Sequence, residues 1–201
     1  MTKYILHGGK TTLRNKRNRR FFAEIEKSLD NGDILLMCYF APSVKSYYSE
    51  EEKYENGVKL FQNYIRKNID YIPANRKEFI SQLKKADAVY IHGGGTEELY
   101  RDLEKQQSEF EKEIMNKKLV VGSSAGAYVL AEYSIDYAGE SKPVRRFGIL
   151  PIKIHCHFEE KNRKSLEEKF KQVDPEDKLE TVFLKDGEMK VNEKRDKKAC
   201  W

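Results

Sequence analysis

Short apolar runs closed by glycine or proline alternate along this chain with longer amphipathic stretches, and this alternation narrows the fold more than any other feature. A strand covered on both faces reads as a continuous apolar run. The helices that cover it carry apolar residues at three- and four-residue spacing. Tyr4 to His7 is the first such run and Gly8-Gly9 ends it. Phe21, Phe22, Ile25 and Leu29 then predict a helix closed by Asn31-Gly32. Ile34 to Phe40 reads as a central strand, residues from about Ser49 as a helix, and Asp70 to Ile72 as a short strand. Phe79, Ile80 and Leu83 line another helix before a strand over Ala86 to Ile91. A long polar helix is expected from about Glu97 to Met115, then a buried strand over Leu119 to Gly122 and an apolar helical face at Tyr128, Val129 and Leu130. Phe147 to Phe158 reads as one or two strands broken at Pro151. A charged helix near Arg163 to Val173 and a hairpin about Asp186-Gly187 complete the pattern. The expectation is an α/β three-layer sandwich around a mostly parallel sheet. No repeat or long linker divides residues 1–201, which are expected to form a single domain.

At 201 residues the chain can bury roughly 70% of its extended surface, enough for a real cleft. Charged residues make up 35% and aromatics 11%, and the aromatic share is too high for a disordered segment. No apolar run reaches membrane-span length, and Met1-Thr2-Lys3 leads straight into a strand, so a cytoplasmic protein is expected. Cys38, Cys156 and Cys200 form no paired framework, which fits reduced thiols. Basic residues gather in the first twenty positions, at Lys3, Lys10, Arg14, Lys16, Arg17, Arg19 and Arg20, and in the tail from Lys197 to Trp201. A solvated helix start explains the first group more simply than nucleic-acid binding does.

Gly122-Ser123-Ser124-Ala125-Gly126 fits the GxSxG pattern, with a buried strand before it and a helical pattern after it. Small residues on either side of Ser124 let strand and helix approach closely, so a tight turn can lift the hydroxyl above the sheet. The same letters also suit a packed connection in which Ser124 only caps a helix. A second glycine loop, His92-Gly93-Gly94-Gly95, favours the catalytic reading: both loops follow strands, and the carboxyl ends of parallel strands are where α/β sheets bind ligands. Backbone N–H groups of Gly94 or Gly95, with that of Ala125, would then form an oxyanion hole. A serine needs a base, and the chain offers His7, His92, His155 and His157. His155 and His157 would share a face of a regular strand, and spacing alone does not choose among the four. For the acid that orients the imidazole, Glu132, Asp136 and Glu140 lie between the serine and the late histidines, with Glu132 expected on the helix after the serine.

At these residues the chain resembles the serine peptidases of the dipeptidase E and cyanophycinase family (peptidase S51-like), whose fold is similar to class I glutamine amidotransferases. The resemblance runs from the first strand to the late histidine. It is carried by Ile91-His92-Gly93-Gly94-Gly95-Thr96, Gly122-Ser123-Ser124-Ala125-Gly126-Ala127 and His157-Phe158. It implies Ser124 as nucleophile, His157 as base, and Gly95 and Ala125 as oxyanion-hole donors. The family's spacing points to Glu140 as the acid, with Asp136 second. Thr96 and Cys156 stand where the family often has Asn and Pro, which leaves a thiol beside the base. Adjacent strand residues turn apart, so Ser124 is preferred to Cys156 as nucleophile.

The resemblance implies a serine peptidase that cleaves small peptides, such as aspartyl dipeptides, through an acyl-enzyme, with no metal and no cofactor. The expected partner is a small peptide; a membrane and nucleic acid are not expected, and a homodimer is left open. Two alternatives remain at this level. One is an esterase or small-amide hydrolase on the same serine, and the other is a non-catalytic ligand-binding module of the same fold.

Overall fold

A computed structural model describes residues 1–41, 48–136 and 139–194; Cys200 and the basic tail lie outside them. In chain order the elements are β1 (Thr2–His7), α1 (Lys16–Ser28), β2 (Ile34–Cys38), α2 (Glu50–Gln62), β3 (Asp70–Pro73), α3 (Phe79–Lys85), β4 (Ala88–Ile91), α4 (Thr96–Glu104), α5 (Gln107–Ile114), β5 (Leu119–Ser123), α6 (Ala125–Leu130), β6 (Ala131–Ser134), β7 (Val144–Arg145), β8 (Leu150–Cys156), α7 (Arg163–Lys171), β9 (Glu180–Leu184) and β10 (Met189–Lys194).

A six-stranded sheet has the order β10-β1-β5-β4-β2-β3. Its β1–β5, β5–β4, β4–β2 and β2–β3 pairings are parallel, and β10 adds an antiparallel edge against β1. Alternate residues of these strands face opposite cores, as a period of two requires. Ile5, Leu35, Tyr90 and Val121 pack with Phe21, Phe22 and Phe61 of α1 and α2. Tyr4, Leu6, Val89, Ile91 and Val120 pack with residues of α3 to α6 on the other side. The result is the predicted α/β sandwich with mostly parallel sheets, similar to class I glutamine amidotransferases.

Five features depart from the sequence pattern. A second sheet of order β7-β6-β8-β9 lies beyond α6. Helix α6 stops after six residues and Ala131 turns directly into β6, so Glu132 stands on a strand rather than a helix. The expected helix over 97–115 is two helices separated at Lys105 and Gln106, because α4 packs on α6 whereas α5 packs on α3. Pro151 does not break β8; the register of β6 and β8 shifts beside it, at a position whose nitrogen has no hydrogen to donate. Asp186-Gly187 is a turn, but the strands it joins belong to different sheets: β9 pairs with β8 and β10 with β1. That turn carries the chain across the carboxyl end of β1. Gly8 N–H donates to the Glu188 carbonyl at 2.8 Å, and Gly187 N–H donates to that of Gly9 at 3.0 Å.

Candidate active site

The bend after β5 is built by small residues. A Cβ on Gly126 would lie 2.1 Å from the Ile91 carbonyl oxygen, and one on Gly122 would lie 2.5 Å from that of Gly126. Either substitution would push α6 away from β4 and β5. Between them Ser124 takes φ 51 and ψ −110, a backbone region that costs a non-glycine residue about 1–3 kcal/mol and persists only where its surroundings enforce it. Here they do: Ser124 N–H donates to the His7 carbonyl, and the N–H groups of Ala127 and Tyr128 donate to the Ser124 carbonyl, each at 2.9 Å.

His157 arrives from the second sheet. Tyr128 on α6 holds the end of β8, its hydroxyl accepting from Cys156 N–H at 3.0 Å and donating to the Cys156 carbonyl at 3.2 Å. One residue later His157 turns to φ 58, and its N–H donates to the Gly8 carbonyl. The imidazole then stands between two side chains: Nε2 lies 2.9 Å from Ser124 Oγ, and Nδ1 lies 2.6 Å from Asp186 Oδ1. Asp186 Oδ2 meets Lys10 Nζ at 2.7 Å. Partial burial acts to raise the Asp186 carboxyl, but hydrogen bonds and charge from Lys10 and His157 outweigh it and hold the group below the ordinary aspartate range. An ionised Asp186 accepts from Nδ1–H, which leaves the Nε2 lone pair to accept from the Ser124 hydroxyl.

The other expected residues are placed as follows. Asp186, rather than Glu140 or Asp136, occupies Nδ1 of His157. Glu140 is exposed, and its carbonyl and that of Gly139 accept from Lys169 of α7, which ties this stretch to the opposite side of the second sheet. Asp136 is also exposed, its N–H donating to Ser141 Oγ. His155 and His157 do not share a face, because the strand ends between them; His155 is buried and lies 3.3 Å from the Ile135 carbonyl. His7 is buried beneath the bend, and burial lowers its pKa to about 4. His92 is likewise lowered to about 4, chiefly by burial, although its ring borders the cleft. Cys156 is fully buried, which pushes its thiol far above the ordinary range and away from thiolate chemistry. Gly93 lies against Ser124; a Cβ there would lie 3.0 Å from that of Ser124. Gly94 packs against Ala41 at φ 149, and Gly95 begins α4. The N–H groups of Gly94, Gly95 and Ala125 donate to no other backbone group among the described residues.

Ser124 and His157 open onto a cleft of about 380 Å³, also lined by Gly9, Lys10, Thr11, Thr12, Lys53, His92, Gly93, Gly94 and Ser123. Among the described residues, no group of three or more His, Cys, Asp or Glu side chains is arranged to hold a metal ion, and no helix is long and apolar enough to cross a membrane.

The model of peptidase family S51 matches residues 5–198. This chain belongs to peptidase family S51. It is therefore classed with the serine peptidases of the dipeptidase E type. Two solved structures share the fold. A candidate peptidase E protein from Listeria monocytogenes EGD-e superposes with a TM-score of 0.63 at 17% identity, covering 97% of this chain and 98% of its own. A peptidase from an acI-B1 Actinobacterium gives 0.58 at 18% identity, covering 96% and 83%. No curated protein sequence matches at a significant level.

Two residues that meet at this cleft carry no clear mark in the sequence pattern. Asp186 was visible only as half of an Asp-Gly turn, and Tyr128 only as part of an apolar face. The signal for Asp186 is the turn itself, since a turn that changes sheets must cross the ends of the strands where the site lies.

Proposed function

We propose that this chain hydrolyses small peptides by a two-stage acyl transfer on Ser124, with His157 as general base and acid and Asp186 as the group that orients it. The observation that carries this reading is the unbroken hydrogen-bonded series from Ser124 Oγ through His157 to Asp186 at the rim of an open cleft. His157 takes the serine proton as Oγ attacks the peptide carbonyl. The ionised Asp186 stabilises the imidazolium, and His157 then protonates the leaving amine. Water repeats the sequence on the acyl-enzyme and releases the acid. The N–H of Ala125, with that of Gly94 or Gly95, receives the developing oxyanion.

Acidic substrates, aspartyl dipeptides among them, fit the cations of the cleft. Lys10 is engaged with Asp186, whereas Lys53 on α2 forms no ion pair among the described residues, and its charge is felt at His92. We assign Lys53 the role of attracting a substrate carboxylate. The test compares an aspartyl dipeptide with its neutral counterpart. Wild type should favour the acidic peptide, Lys53→Met should reduce that preference by about tenfold, the loss of one partly screened charge contact, and Ser124→Ala should cleave neither. Equal turnover of both peptides would remove the acidic preference, and cleavage by Ser124→Ala would remove the serine mechanism.

A further inference from the structure

Asp186 has two carboxylate oxygens, and the imidazole uses only one. The second is taken by Lys10, from the loop that follows β1, and this loop is unusually well fixed. Lys10 adopts φ 55, and Gly9 beside it is packed so tightly on the base that a Cβ there would lie 2.2 Å from His157 Cε1. Beneath the loop, the fully buried Asn18 amide donates to the carbonyls of Lys10 at 2.8 Å, Thr11 at 3.0 Å and Leu13 at 2.8 Å. With Nδ2 committed to three carbonyls, Oδ1 faces His7 Nε2 at 2.9 Å, and Gly9 N–H donates to His7 Nδ1 at 3.1 Å. The Tyr90 hydroxyl ties Thr11 to Ser123 from the other side. The loop that carries Lys10 is therefore held by buried hydrogen bonds from α1, β1, β4 and β5, although the lysine side chain is itself 53% exposed.

We infer that Lys10 is a positioning residue of the site, holding the Asp186 carboxylate toward His157 and setting the pH above which Ser124 becomes reactive. The inference rests on the serine-hydrolase reading given above. A cation fixed on the far oxygen competes with the imidazolium for the same negative charge. Other charged or titratable groups surround the imidazole without duplicating this contact. His7 on β1 and His155 on β8 act on it only through space and are held toward neutrality by burial. Arg17 of α1 reaches the Asp186 backbone carbonyl and the Glu188 carboxylate rather than the Asp186 side chain. Glu188 also accepts from Lys185 N–H within its own turn.

The experiment is the pH dependence of Ser124 modification by a small neutral dialkyl fluorophosphonate, a probe with no charge for Lys10 to attract. The Oγ–P bond forms, the P–F bond breaks with loss of fluoride, and the serine proton passes to His157. In Lys10→Met the labelling midpoint should move to higher pH by about 0.5 unit, or roughly threefold slower labelling on the acid limb, since a half-exposed charge is partly screened. Lys10→Arg should restore the wild-type midpoint. An unmoved midpoint in Lys10→Met, or a uniform loss of rate at every pH, would overturn the inference while leaving the hydrolase reading intact. No labelling of the wild-type serine at any pH would overturn both.

Discussion

Two serine–histidine pairs sit side by side at the carboxyl end of β5, and the proposed chemistry falls to one of them. Ser123 Oγ lies 3.3 Å from His7 Nδ1, and Ser124 Oγ lies 2.9 Å from His157 Nε2. Consecutive residues at a strand end point in opposite directions, so Ser123 turns toward the β1 and α1 side and Ser124 toward the second sheet. The third partner separates them further. His7 hydrogen-bonds a neutral amide, Asn18, in a buried site that disfavours the imidazolium. His157 meets a carboxylate at the cleft rim. The buried pair also has its nitrogen lone pair occupied by Gly9 N–H. A serine beside a histidine is therefore not enough. Reactivity also needs an anion behind the ring, a lone pair turned toward the serine and room for a carbonyl.

The largest effect that sharpens this contrast is loss of one hydroxyl or the other. Ser124→Ala should lower peptide hydrolysis by about 10³-fold or more, as removal of a nucleophile does, whereas Ser123→Ala should change it only a few-fold; steady-state rates on one dipeptide compare them directly. Next comes the orienting group. Asp186→Asn gives the open pair the same kind of partner as the buried one, and kcat should fall about 10²- to 10⁴-fold, while Glu140→Gln stays within about twofold of wild type. A large loss in Glu140→Gln with none in Asp186→Asn would reverse the assignment.

The smallest effect concerns the buried side of the comparison and is read in stability. The pKa of His7 falls from an ordinary 6.5 to about 4 on folding, so the unfolded chain binds more protons between those values. Stability is fully present above pH 6.5 and is lost as pH falls toward 4, by about 3 kcal/mol for a shift of this size. His92, lowered to about 4 by burial, adds a loss of the same sign. The urea midpoint should therefore drop between pH 7 and pH 4.5, and His7→Gln should flatten part of that slope. An equal slope in the variant would place the acid sensitivity elsewhere.

The four inner strands of the first sheet are readable because they are buried and announce themselves as apolar runs: Tyr4 to His7 and Leu119 to Gly122 fall within strands, and Ile34 to Phe40 and Ala86 to Ile91 each overrun one by two residues. The second sheet was harder to read because β6 and β7 are short and carry polar residues such as Glu132 and Arg145, whose side chains pair with each other. The same contrast holds in the site. The strand-to-helix bend around Ser124 is local, and small residues at fixed offsets record it. The contact of His157 with Asp186 spans 29 residues; the Asp-Gly turn is local, but its passage between two sheets is a tertiary fact. His155 illustrates the converse: a spacing of two suggested a shared face, but the chain bends at His157 and sends the two rings apart.

The most direct measurement is to locate the covalent adduct left by a neutral fluorophosphonate, by fragmentation of the peptide that contains both Ser123 and Ser124. The account predicts one adduct per chain, on Ser124, absent in His157→Ala. An adduct on Ser123, or one that survives loss of His157, would contradict it.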